Sequence, residues 1–113
     1  MSEADYPYKG ITGDIFDGKC HYDKTKGVIK VSEYKKIAPH DANCLRNAIR
    51  EQPVIVSVQA STWHFKLYSG GVIRSKECGT DVDHNLTAVG FGSEDGTVSY
   101  YLLKNSWGSH WGV

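Results

Sequence analysis

An excess of charge of either sign is missing from this chain of 113 residues: thirteen Lys and Arg balance thirteen Asp and Glu, and like charges never run longer than a pair. A protein that grips a phosphate backbone or an anionic membrane needs a basic patch, so neither partner is expected. Long apolar runs are missing as well. None approaches the ~20 residues of a membrane span, and Met1-Ser2-Glu3-Ala4-Asp5 lacks the basic-then-apolar layout of a signal peptide. Cysteine is scarce and odd in number: with only Cys20, Cys44 and Cys78, at least one thiol has no partner within a monomer. No two of His21, His40, His64 and His110 stand at ligand spacing with a cysteine, so no metal site and no cofactor is expected.

What is present is an ordinary folding composition. Hydrophobic residues make up 40% and charged residues 23%, with seven tyrosines and three tryptophans, which argues against disorder. The length suits one compact domain spanning residues 1–113, near the lower limit at which a core is self-sufficient. No internal repeat, linker or low-complexity tract divides it.

Residues 1–26 are rich in Gly, Asp, Lys and Tyr without periodicity, and are expected to be irregular, with Tyr6-Pro7-Tyr8 anchoring the segment by ring packing. Val28, Ile29, Val31 and Tyr34 with polar residues between them predict a strand over Gly27–Tyr34. Asp41 is a capping residue, Leu45, Ala48 and Ile49 recur at helical spacing, and Gln52-Pro53 stops the pattern, predicting a short helix over about 42–51. The β-branched run Val54-Ile55-Val56-Ser57-Val58 predicts a buried strand. Trp63–Tyr68 reads as a turn or single helical turn, and Gly70-Gly71-Val72-Ile73 as a tight turn entering a short strand. His84–Gly92 and Val98–Leu103 predict an antiparallel pair joined by Ser93-Glu94-Asp95-Gly96. Four or five strands and one helix give an α+β domain, an antiparallel sheet or partly closed barrel.

The residues that can carry chemistry lie in three segments: Cys78-Gly79-Thr80-Asp81-Val82-Asp83-His84, Ala88-Val89-Gly90-Phe91-Gly92, and Lys104-Asn105-Ser106-Trp107-Gly108-Ser109-His110-Trp111-Gly112. A hairpin can bring the histidine that opens one strand beside the asparagine that ends the other. An imidazole so held can take a thiol proton through one ring nitrogen while an amide oxygen holds the N–H of the other. The thiolate and imidazolium then stabilise each other, which lowers the thiol pKa enough for attack on a peptide carbonyl.

These segments closely resemble the papain family of cysteine peptidases. So do Tyr6-Pro7-Tyr8 with Cys20 downstream, Gln52-Pro53-Val54 leading into Gln59-Ala60, and Phe65-Lys66-Leu67-Tyr68-Ser69-Gly70-Gly71-Val72, in the same order along nearly the whole chain. The part resembled is the C-terminal lobe. The resemblance implies that His84 is the general base and acid, Asn105 its orienting residue and Trp107 a shield over their hydrogen bond. It puts Trp111 near the leaving-group side of the cleft, and Ser57 and Asn85 at the main specificity pocket, where polar side chains are less typical than small or apolar ones. The family nucleophile stands in a Cys-Gly-Ser-Cys-Trp motif preceded by an oxyanion-binding glutamine, and neither occurs here. The resemblance therefore predicts a lobe truncated at both ends, with Cys20 and Cys78 parted from disulfide partners and Cys44 without a family role.

The expected parent is an endopeptidase acting on peptides or proteins, lysosomal, vacuolar or secreted, whose N-terminal lobe is this chain's natural partner. Alone, the chain is expected to be inactive and to self-associate through the exposed lobe surface. A different class of reading is a non-catalytic peptidase-like module that binds a partner along the half-cleft, or a half-domain isolated for study. The sequon Asn85-Leu86-Thr87 is assigned to chance, because it enters a strand expected to be largely buried. The tryptophans read as parts of the peptidase motif rather than as a ligand platform.

Overall fold

The computed structural model describes residues 1–8, 19–74, 76–96 and 98–113, in two compact units, Met1–Lys36 and Ile37–Val113. The part of the irregular N-terminal segment that falls on residues 9–18 lies outside the described residues.

In the first unit the described backbone is mainly irregular, as its composition implies. Tyr6 packs edge-on to the His21 ring at 6.5 Å, and its hydroxyl accepts the His21 N–H. A single 3-10 turn at Lys24–Lys26 begins at Asp23, whose carboxylate accepts the Thr25 N–H at 2.9 Å and the Thr25 hydroxyl at 2.7 Å. The strand expected over Gly27–Tyr34 does not form. Val28, Ile29, Val31 and Tyr34 are all exposed, and no described residue pairs with them. β-propensity measures fit to a pleated, half-buried surface, and without a neighbouring strand that surface is absent.

The second unit holds helix α1 (Ala42–Glu51), strand β1 (Val54–Val58), a single helical turn α2 (Trp63–Lys66), a 3-10 turn at Lys76–Cys78, and strands β2 (His84–Glu94) and β3 (Val98–Lys104). Asp41 starts α1 by accepting the Cys44 N–H at 2.8 Å, and the chain leaves the helix at Gln52, before the proline. Of the apolar stripe Leu45, Ala48 and Ile49, only Ile49 is buried. Gly70-Gly71 turns, with Gly71 at φ +75°, but Val72 and Ile73 do not go on to form a strand.

The architecture is α+β, with an open antiparallel sheet of order β1-β2-β3 in place of a closed barrel. Val56 lies opposite Leu86, and Ala88 opposite Leu103, so these side chains share a face. There Leu86 joins Ala60 and Phe65 in the core, with Val56, Val58, Ile73, Leu103, Trp107 and Trp111 packed around them. Asp95 and Gly96, at φ +52° and +69°, lie in the turn of the β2–β3 hairpin.

Candidate active site

His84 opens β2 and Asn105 follows the last residue of β3, and the ladder between them contains one irregularity that fixes their relation. Near the turn the pairs run Glu94 with Val98 through to Gly90 with Leu102; beyond Val89 they shift by one, to Ala88 with Leu103 and Thr87 with Lys104. Val89 is the extra residue of a β-bulge. Had the first register continued, Asn105 would lie opposite Thr87, on the face away from His84. After the shift its place is opposite Leu86, diagonal to His84 on the same face.

His84 Nε2 and Asn105 Oδ1 are 2.9 Å apart across 21 residues of sequence. The same Oδ1 accepts the Ser106 backbone N–H at 2.8 Å, which fixes the amide with its oxygen toward the ring. Since an oxygen faces Nε2, that nitrogen carries the proton in the neutral ring. Nδ1 is then the basic nitrogen. Among the described residues no hydrogen-bond partner meets the buried Asn105 Nδ2.

Aromatic rings hold the imidazole from the core side. Trp107 lies 5.0 Å from the His84 ring, tilted by 35°, and packs edge-on to Phe65 at 5.5 Å. Trp111 packs against Phe65, Tyr68 and Trp107 and donates its indole N–H to the Phe65 carbonyl at 2.8 Å, which buttresses the ring that lies on His84. Such a wall lowers the local dielectric and strengthens the ring's hydrogen bond to the amide.

Ser57 and Asn85 face each other across β1 and β2, and the Ser57 hydroxyl donates to Asn85 Oδ1 at 2.8 Å. Both are exposed, on the sheet face opposite the core. The sequence reading thus finds its six residues as one cluster of His84, Asn105 and Trp107 extended by Trp111, and a separate polar pair.

One neighbour that the sequence reading passed over is Asp83. Its carboxylate accepts the Ala60 N–H at 2.6 Å and the Ser61 N–H at 3.2 Å, while its own N–H donates to the Val58 carbonyl. The Ala60 bond, then contacts with Ser61 and the charge of His84, hold the Asp83 carboxyl below the usual aspartate range. An aspartate directly before the strand-opening histidine is the signal that was available. The three thiols are free, Cys20 exposed and Cys44 and Cys78 half-buried. Among the described residues no group of three His, Cys, Asp or Glu side chains is placed to hold a metal ion.

The chain is 40% identical over 112 residues to the KDEL-tailed cysteine endopeptidase CEP2 of Arabidopsis thaliana, covering 98% of this chain and 29% of that protein. It is 38% identical to the oryzain beta chain of Oryza sativa subsp. japonica, of which it covers 22%. The digestive procathepsin L 3 of the Tenebrio molitor larval midgut superimposes with a TM-score of 0.85 at 36% identity, over 99% of this chain and 35% of that one. The chain thus spans about a third or less of these relatives, as a resemblance to one lobe implies. The family described as papain family cysteine protease matches residues 1–113, and the chain belongs to it.

Proposed function

We propose that this chain supplies the base-and-orienter half of a cysteine endopeptidase site, and that the thiol it serves comes from a segment outside these 113 residues. The observation that supports this best is the His84 Nε2 to Asn105 Oδ1 bond of 2.9 Å, whose acceptor is oriented by the Ser106 N–H so that Nδ1 is left as the base. Nδ1 takes the proton from the thiol, and the thiolate attacks the peptide carbonyl. Collapse of the tetrahedral intermediate breaks the C–N bond as the imidazolium gives its proton to the leaving amine. The acyl-thioester is hydrolysed by a water that His84 deprotonates in turn, and the thiol is restored. Asn105 holds the ring in the tautomer that both proton transfers need, Trp107 shields that bond, and Trp111 buttresses Trp107 on the leaving-group side. Ser57 and Asn85 line the specificity pocket with a hydrogen-bonded polar pair.

The whole enzyme's substrates are peptides or proteins, its compartment lysosomal, vacuolar or secreted, and the partner of this chain is the lobe bearing the nucleophile. The isolated chain is inactive, because without that thiolate there is no covalent route. A fluorogenic peptide assay of the chain, with and without a cysteine-directed inhibitor, is expected to show no turnover. Inhibitor-sensitive hydrolysis would overturn the reading.

A further inference from the structure

Among the described residues, four hydrogen bonds tie the loop that delivers His84 to the sheet to the chain leaving β1. Asp83 contributes three of them: its carboxylate takes the Ala60 and Ser61 N–H groups, and its N–H donates to the Val58 carbonyl at 3.0 Å. The fourth is made by a side chain with no part in the chemistry. Gln59 Oε1 accepts the Asp81 N–H at 2.9 Å. The same amide donates through Nε2 to the Ser61 hydroxyl at 3.3 Å, which fixes the oxygen end toward the loop.

The opposite side of this contact is shaped to admit the amide. Gly79 has φ +73°, a conformation that a side-chain-bearing residue adopts only under strain. A Cβ placed on it would fall on Gln59 Oε1, the atom that holds Asp81. Gly79 thus leaves both the backbone freedom for the loop's turn and the space for the amide that closes it.

We propose that Gln59 is a positioning residue for His84: by bonding the Asp81 N–H it fixes the angle at which residues 79–83 enter β2, and hence where the imidazole meets Asn105. Val58 pairs with His84 in the ladder, and Asp83 bonds to the Val58 carbonyl just before that pair. A loop that pivots at Asp81 therefore moves the ring through a single intervening rung. A hydrogen bond of 2.9 Å lengthened by about half an ångström is at the edge of being one. The inference rests on the reading of His84 as the base, but its test reads the ring and not turnover.

The test is a long-range proton–nitrogen correlation of the His84 ring in the 113-residue chain, which reports how much of the neutral ring carries its proton on Nε2. Gln59→Met keeps the side-chain length and removes the acceptor. Gly79→Ala leaves Gln59 in place and displaces its amide. Each is expected to lower the ratio of the Nε2–H to the Nδ1–H tautomer roughly fivefold, the scale of one intramolecular hydrogen bond. Gly79→Ala also strains the loop backbone, so the double variant should fall no further than Gly79→Ala alone, in which the amide is already displaced. A ratio unchanged in Gln59→Met, even with a lower melting temperature, makes Gln59 an ordinary structural residue and overturns the proposal. Should Gln59→Met fail to fold, the ring signal of Gln59→Leu decides in its place. If the ring responds but the assembled enzyme proves not to use His84, the functional reading falls and the brace stands.

Discussion

His84 has two ring nitrogens, and what the site can do depends on which of them is left without its proton. Asn105 settles the question with one oxygen, because the Ser106 N–H prevents the amide from turning its nitrogen toward the ring. Asn105→Ala removes the acceptor. The Nε2–H tautomer is then expected to lose about 1 kcal/mol of preference, roughly fivefold in ratio, as read by imidazole nitrogen shifts. Asp83 acts on the same ring through the backbone and gives the chain an acid-sensitive joint. Its pKa in the folded chain lies below the ordinary 3.8, so its bonds to Ala60 and Ser61 stabilise the fold above that pH and are lost as pH falls through the folded value. Urea midpoints of the parent chain and Asp83→Asn should therefore differ fully near neutrality and converge in acid. Asp23, held low chiefly by the Thr25 hydroxyl, titrates in both proteins and cancels in the difference. A gap that stays constant down to about pH 2 would contradict this assignment.

At the scale of elements, the signals that worked are local ones. Helix α1 begins and ends where the sequence puts it, because Asp41 reaches only three residues ahead to cap Cys44 and Pro53 acts on the residue before it. Asp41→Ala is expected to cost about 1 kcal/mol in a denaturant titration, with the loss of helical circular dichroism at the same midpoint. The β-branched run gave β1 its full extent, and Asp95-Gly96 turned the hairpin as such residues do. Two expected strands failed. The segments 27–34 and 72–73 have the right residue types, yet a strand exists only as a partner in a ladder, and no sequence window contains the partner. Along His84–Gly92 the alternation around Leu86, Ala88, Val89 and Phe91 is imperfect in the sequence itself. That it was a bulge, and that the bulge carries Asn105 to the face of His84, appears only when both strands are paired.

The Ile37–Val113 unit buries little. Among the described residues its buried large apolar side chains are Ile49, Phe65 and Leu86, which at roughly 2–3 kcal/mol each supply less than about 10 kcal/mol before chain entropy is counted. Meanwhile Ile55 is 79% and Leu102 53% exposed, and an open concavity of about 1180 Å³ runs beside β3 between residues 65–73 and 108–113. Unpartnered apolar surface of this kind drives association. Sedimentation coefficients of the isolated chain are expected to rise with concentration, and a monomer throughout the range would count against it. The sequence by itself determined the family, the helix and the central strands, because side-chain chemistry, capping and β-propensity act within a few residues. The tertiary structure decided the open sheet, the register shift at Val89, the ring tautomer, and the Asp83 and Gln59 ties to the loop before His84. The His84–Asn105 bond and the Asp83 and Gln59 ties join groups more than twenty residues apart, and the shift at Val89 exists only in the pairing of two strands, so no local pattern can specify them.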